Sequence, residues 1–578
     1  MSFLRNPFMT AYKARLYPNF WDVVALLFAL GLIALLAWDA KQMSVPYHLG
    51  ETITISLDPH QLPGYALRTV LRMFIALFFS LLFTFTFGTW AAKSKRAGRI
   101  IIPIIDICQS IPILSFLSVS IVGFISLFPN SLLGPECASI LVIFTSQAWN
   151  MALGFYQTVR SVPVELREAA NMFHLSAWQR FWRIDVPFSM PGLLWNTMMS
   201  MSAGWFFVVA SEAVSVSNQQ ILLPGIGSYI AYAIQTMDKK AIGYAILTMF
   251  IVILLYDQLL FRPLVAWAEK FKAEHVATEK EPHSWVIDLL HRTRLLRILG
   301  GSLNQLFNRI VNFSWLQSGP DSQRQITLRH ERLINGIFNT LLTLIVLGTV
   351  IYSVYFIARN IPLSSMGHIF FLGLVTALRV LVLIVICSLI WVPVGVWIGL
   401  RPGVAQMVQP LVQFLAAFPV NLLYPLVFIL ILKYHLNIEI WVTPLMILGV
   451  QWYVLFNVIA GASVLPKELL QVTDNLGATG WLRWRKLILP GIFPYYMTGA
   501  ITAAGGAWNA SIAAEIISWG QTKLVATGLG AYISESTATG NFLHMAVGTG
   551  VMCILVLFFN RVLWRPLYVM AETRYHLD

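Results

Sequence analysis

The side chains best placed to do chemistry in this sequence are charged residues inside apolar runs and two polar loops between such runs. Glu212 and Glu515 each follow a tryptophan, Trp205 and Trp508, by seven residues, which is two helical turns along one face. Arg72 and Arg379 open two other apolar runs. Ionisable groups in such runs face a cavity or a partner rather than lipid. One reading lines a solute pathway near its outer gate with Trp205, Ser211, Glu212, Trp508, Asn509, Ser511 and Glu515. The other has each glutamate pin the glycine-rich loop behind it by hydrogen bonds. Two carboxylates raise the barrier to an anion, so on an anion path they must be neutral, paired or set aside. Arg72 and Arg379 suit bidentate attraction of an oxyanion at the outer face, or snorkelling to the outer headgroups.

Other chemistries lack their residues. There is no GxxxxGK[ST] loop to cradle ATP phosphates. The four cysteines, Cys108, Cys137, Cys387 and Cys553, are scattered without a CxxC, and none of the eleven histidines has metal-ligand spacing. No metal site is expected, and no acid pair or nucleophile constellation points to an enzyme.

The elements that must carry these residues are membrane spans. Of 578 residues 57% are hydrophobic and 11% charged, and mean hydropathy is +0.71. A soluble chain averages about 25% charged residues, so a soluble enzyme and a disordered chain are both excluded. The apolar runs reach the length that crosses a hydrocarbon layer of ~30 Å as a helix. Twelve spans are predicted, with cores at 22–38, 68–90, 102–127, 138–158, 191–214, 241–261, 335–357, 371–399, 408–432, 439–460, 494–517 and 543–563. The first is read as a retained helix, since Trp38-Asp39-Ala40-Lys41 is a poor cleavage site. Basic residues cluster before the first span (Arg5, Lys13, Arg15) and at Lys93–Arg99, Arg160–Arg183 and Lys467–Lys486. With twelve spans these all fall on one side, the cytoplasm, together with both termini. The net charge of +13 is that bias and not a nucleic-acid footprint.

The chain repeats itself. At an offset of 303 positions Pro163 meets Pro466, Pro187 meets Pro490, Trp205 meets Trp508, Glu212 meets Glu515, and Arg262-Pro263 meets Arg565-Pro566. At 307 positions Thr69, Arg72, Gly88, Pro103 and Pro112 meet Thr376, Arg379, Gly395, Pro410 and Pro419. Asp106 meets Gln413 and reads as a local polar contact. The predicted organisation is 1–65, an N-terminal segment with the first span and an external loop; 66–267, repeat one; 268–333, a cytoplasmic linker; 334–370, an extra span and loop; and 371–578, repeat two. The seventh span restores the orientation of the second copy, so the halves are parallel repeats with a pathway between them. In the linker Trp285, Val286, Leu289, Leu290, Leu295, Leu296, Ile298 and Leu299 alternate with Asp288, Arg292, Arg294 and Arg297. That pattern is an amphipathic helix on the inner leaflet, or a helix packed on the protein within a solvated linker.

Between the fourth and fifth spans runs Val164-Glu165-Leu166-Arg167-Glu168-Ala169-Ala170-Asn171-Met172-Phe173-His174, leading to Ile184-Asp185-Val186-Pro187. Its counterpart is Lys467-Glu468-Leu469-Leu470-Gln471-Val472-Thr473-Asp474-Asn475-Leu476-Gly477, leading to Leu487-Ile488-Leu489-Pro490. These loops resemble the cytoplasmic signature of permease subunits in binding-protein-dependent ABC importers: Glu-Ala-Ala, three residues, Gly, then Ile-x-Leu-Pro. The first copy keeps Glu168-Ala169-Ala170 but has His174 for the glycine. The second keeps Gly477 but has Gln471-Val472-Thr473 for Glu-Ala-Ala. Ala507-Trp508-Asn509-Ala510-Ser511-Ile512-Ala513-Ala514-Glu515 with Gly528-Leu529-Gly530 narrows the likeness to the nitrate, sulfonate, taurine and bicarbonate type, in its fused double form. The first half echoes this with Ala203-Gly204-Trp205 to Glu212 and Leu223-Pro224-Gly225-Ile226-Gly227.

The resemblance implies an all-α polytopic membrane protein of two fused type I importer permease repeats, in a bacterial-type cytoplasmic (inner) membrane. It implies that Glu165, Glu168, Ala169, Ala170, His174, Glu468, Gln471, Val472, Thr473 and Gly477 belong to loops that couple to two ABC ATPase subunits, or to a homodimer of one. ATP and Mg would be held there, with no cofactor in this chain. An external substrate-binding protein and a small anion (nitrate, bicarbonate or sulfonate class) as substrate follow from the same likeness. The competing reading is an ion- or proton-coupled secondary transporter, and a third is a membrane enzyme or scaffold. The doubled loop argues against the secondary transporter, and no acid pair, metal cluster or nucleophile constellation supports the enzyme.

Overall fold

The computed structural model describes residues 53–268, 294–313 and 328–574 apart from Pro112, Ser217, Asn218 and Gln521, with Val286 and single residues between 20 and 46. Most of the first predicted span, the basic residues before it, and Trp285, Leu289 and Leu290 of the linker lie outside the described residues.

The first half comprises α1 (Leu62–Phe83), α2 (Lys95–Ser110), α3 (Ile113–Leu127), α4 (Leu133–Arg160), α5 (Val164–Met172) and α6 (Val186–Glu212). A hairpin of β1 (Ala213–Val216) and β2 (Gln219–Leu222) follows, then α7 (Ile226–Gln235) and α8 (Lys239–Tyr256). The linker holds α9 (Arg294–Val311) and leads to α10 (Leu328–Asn360). The second half repeats the order as α11 (Leu363–Gly399), α12 (Pro402–Ala417), α13 (Tyr424–Lys433), α14 (Ile438–Ser463), α15 (Lys467–Asn475) and α16 (Leu489–Ala514). It ends with β3 (Ile516–Trp519), β4 (Thr522–Val525), α17 (Leu529–Ala538) and α18 (Phe542–Phe559). Thus α1 matches α11, α4 matches α14, α6 matches α16 and α8 matches α18.

Nine helices among the described residues are long and apolar enough to span a membrane, and α12 with α13 adds a tenth pair bent by 77°. The spans expected at 102–127 and 408–432 are each interrupted by a bend. Both break at a residue before proline: Ile111 (ψ 134°) ahead of Pro112 and Phe418 (ψ 125°) ahead of Pro419. Proline's Cδ drives the preceding residue out of the helical region. The fifth and eleventh spans also stop short of their predicted ends, at Glu212 and Ala514, where each half inserts its hairpin.

Prolines leave a second trace. Wide π-turns at Phe181–Asp185, Asp257–Phe261, Trp484–Ile488 and Asn560–Trp564 each end two residues before a proline: Pro187, Pro263, Pro490 and Pro566. A proline ring clashes with the carbonyl four residues back and offers no N–H, so the ladder there widens locally.

The halves embrace reciprocally. The broken pair α2/α3 packs on α18, and α12 packs on α6 and α8. At matched places across the seam, the Ile113 N–H donates to Asn509 Oδ1 (2.7 Å) and Asn421 Nδ2 donates to the Phe206 carbonyl (3.3 Å). Phe250 meets Phe414 edge-on at 4.7 Å between centroids. By contrast α10 is peripheral: many apolar side chains along it, Leu341, Leu344 and Ile351 among them, are more than half exposed. Such a helix is matched to lipid.

Candidate functional site

Each half is organised around a buried arginine. Arg72 of α1 is fully enclosed. Its Nε and Nη2 donate to the two oxygens of Glu136 at 2.6 and 2.7 Å, its Nη1 to Glu212 Oε1 at 2.6 Å, and Nη2 also to the Pro224 carbonyl at 2.9 Å. Thr69, one turn earlier, donates to Glu212 Oε1 (2.7 Å) and accepts from the Ile226 N–H (3.1 Å). Glu212 Oε2 accepts from the Gly227 N–H at 2.6 Å. A carboxylate with no access to water needs such donors to offset its desolvation.

The second half rebuilds the cluster. Arg379 pairs with Glu515 (3.0 Å), with Glu439, and with the Thr527 carbonyl (2.6 Å). Thr376 donates to Glu515 (2.9 Å) and accepts from the Leu529 N–H (2.9 Å), and Ala531 N–H donates to Glu515 Oε2 (3.1 Å). Glycine is demanded at both following loops. A Cβ on Gly225 would sit 2.3 Å from the Glu212 carboxyl carbon, and one on Gly528 would sit 2.2 Å from a Glu515 oxygen. The glutamates thus lie against the glycine-rich loops, and the guanidiniums offered for an outer anion are engaged by carboxylates. Glu136 and Glu439 escaped the sequence reading. They stand in the first turns of α4 and α14 and match at the same offset of 303 positions. An arginine in a span with too few acids was the signal that could have found them.

A cavity of about 350 Å³ lies between the halves, lined by α4 and α6 on one side and α14 and α16 on the other, with residues from the breaks of the two bent pairs. Its lining carries the amides Asn150, Asn196, Asn457 and Asn509, the hydroxyls Ser146, Ser200, Ser202, Thr498 and Thr502, and the rings Trp149, Trp195, Phe206 and Tyr453. Among the described residues none of its lining is charged. Of the pathway candidates Asn509 lines this cavity. Trp205, Ser211, Trp508 and Ser511 are buried in helix packing instead. Ser211 is bonded to Ser139 Oγ at 2.7 Å.

The two polar loops form short helices, α5 and α15, with Pro163 and Pro466 as their N-caps. Ala170 is buried, whereas Glu165, Glu168, Glu468 and Gln471 are exposed, Ala169 and Thr473 partly so. His174 (φ 51°) and Gly477 (φ 63°) both take the left-handed turn that ends the helix, so a histidine in the first copy keeps the backbone geometry that a glycine has in the second. That turn closes with Leu175 N–H to the Ala170 carbonyl (3.0 Å) and Ala478 N–H to the Thr473 carbonyl (2.9 Å). The tips expose apolar side chains: Met172 80%, Phe173 76%, Leu476 78%, and Val472 about half. Exposed apolar tips on otherwise polar loops are the composition of a protein–protein contact.

Comparison with known proteins agrees with this duplication. Residues 84–261 and 391–566 each match the model of the binding-protein-dependent transport system inner membrane component. The chain belongs to that family and carries it twice. It is 27% identical over 203 residues to the glycine betaine/proline betaine transport system permease protein ProW of Salmonella typhimurium, covering 34% of this chain and 54% of the relative. It is 31% identical over 134 residues to the bicarbonate transport system permease protein CmpB of Synechococcus elongatus, covering 23% and 46%. It is 26% identical over 147 residues to the taurine transport system permease protein TauC of Escherichia coli, covering 25% and 50%. The chain spans about half the length of these relatives.

Proposed function

We propose that this inner-membrane component, with two family copies in one chain, forms the complete translocation pathway of an ABC importer. The observation that carries the reading is the cavity enclosed by matched helices of the two halves, with α5 and α15 presenting matched apolar tips. Two ATPase subunits, or two copies of one, dock on those tips and hold the ATP and Mg. Their closure rocks the halves, so that the cavity opens alternately to each side. An external substrate-binding protein delivers the solute, and both termini are cytoplasmic. The glutamate–arginine clusters hold the hairpin and glycine-rich loop of each half in register with α1 and α11.

The resemblance to nitrate, sulfonate and bicarbonate permeases points to a small anion, and the relatives by name also include betaine and taurine systems. The cavity lining supports a narrower choice. An unpaired anion crossing a low-dielectric site needs a compensating cation, and Arg72 and Arg379 are both engaged by carboxylates. Amides, hydroxyls and aromatic faces suit a small neutral or zwitterionic solute. The test is substrate-dependent ATPase stimulation of the reconstituted transporter with its ATPase and binding protein. Stimulation by taurine or a betaine, and not by nitrate or bicarbonate, is expected. Stimulation by the inorganic anions alone would overturn the substrate class, and transport without any ATPase would overturn the importer.

A further inference from the structure

We propose that α9 lies in the headgroup layer of the cytoplasmic leaflet, held by anionic lipid, and that its C-terminal end straps the base of the first coupling segment. The base is the stretch Ala177–Asp185, which continues directly into the membrane-long helix ending at Glu212. That continuous helix has 36 residues, whereas ~20 suffice for the hydrocarbon layer. Its first turns therefore stand at headgroup level.

At that level α9 grips it. Trp178 Nε1 donates to the Ile310 carbonyl (3.3 Å), and Arg183 Nη2 and Gln179 Nε2 donate to Asn312 Oδ1 (2.8 and 3.3 Å). The rings of Trp182 and Phe307 meet edge-on at 5.4 Å, and Val311 is buried. Beyond those contacts the helix end keeps apolar side chains outward: Leu306, Ile310 and Phe313 remain 47–55% exposed, and Phe307 is 40% exposed beside Trp182. The same helix carries Arg294, Arg297 and Arg309 and no acidic residue. Apolar side chains beside Arg309, on a helix whose sequence is basic and which lies in the chain between two membrane-long helices, fit an anionic bilayer surface. Among the described residues nothing covers the matched base in the second half. Trp481, the counterpart of Trp178, is 71% exposed, and Leu482 is 54% exposed.

The test uses the full chain in nanodiscs of phosphatidylcholine, with and without phosphatidylglycerol. A polarity-sensitive fluorophore on Leu306→Cys should shift to the blue and be quenched by nitroxide-labelled lipid, more strongly with phosphatidylglycerol. Adding Arg309→Gln should remove part of that increment, and the same label on Met172→Cys, at the coupling tip, should stay water-like. A water-like signal at Leu306→Cys in both lipids, an equal response in both, or protection gained only when ATPase subunits are added would each overturn the lipid assignment. For the strap, a spin label on Phe173→Cys should gain mobility when Asn312→Ala and Phe307→Ala are introduced, with no change at Leu476→Cys. Unchanged mobility at Phe173→Cys would overturn it.

Discussion

The two arginine clusters have the same parts and different surroundings. Around Arg72 everything is closed: Glu136 and Glu212 are at most 1% exposed. Around Arg379 one wall is open, because Glu439 is 40% exposed while Glu515 is fully buried. The loops carrying α5 and α15 differ in the same direction among the described residues, the first covered at its base by α9 and the second uncovered. A duplicated unit thus kept its geometry and lost its equivalence. What was held constant is the pinning of hairpin and glycine-rich loop by a glutamate; what drifted is how much water reaches it.

The largest expected effect comes from removing the cations. Arg72→Met leaves two carboxylates buried without a counter-charge and should cost about 3–5 kcal/mol. Arg379→Met should cost less, since Glu439 can rehydrate. Thermal unfolding of the purified protein reads the difference, and equal losses would break the comparison. Next are Gly225→Ala and Gly528→Ala, which push a methyl into Glu212 and Glu515. Each should cost about 1–3 kcal/mol as overpacking does. Both carboxylates are fully buried, so here the halves should agree, and a silent Gly528→Ala would show the second loop to be slack.

A charge at a coupling tip should act on docking and not on folding. Phe173→Asp and Leu476→Asp should each weaken ATPase association by more than about 1 kcal/mol while leaving the melting temperature in place. A loss confined to one of them would make that half the sole driver. The smallest effect concerns the turn. His174→Gly should stabilise and Gly477→Ala destabilise by roughly 1 kcal/mol each, since a side chain in the left-handed region carries that strain. Opposite signs in the same unfolding assay are the check.

Much of this fold was legible because membrane spans announce themselves by length and because Pro, Trp and Gly landmarks recur at fixed offsets. The bends at Ile111 and Phe418 were hidden in plain view. Pro112 and Pro419 marked the repeat, but uninterrupted apolarity masked their backbone consequence. The hairpins after Glu212 and Ala514 were missed because strands of four residues leave too short an alternation to see. At the arginine clusters the sequence paired α1 with α11, yet the contacts that matter run within each half, from α1 to the start of α4 and the end of α6. Burial of a charge inside a span implies a partner; which acid supplies it depends on packing that spacing along the chain does not encode.

The central claim is that one copy of this chain supplies both walls of the pathway and both docking helices. The mass of the intact complex, purified from its native membrane with its ATPase, tests that directly. One copy of this chain with two ATPase subunits is the predicted assembly. Two copies of the chain around one pathway, or no ATPase bound at all, would contradict it.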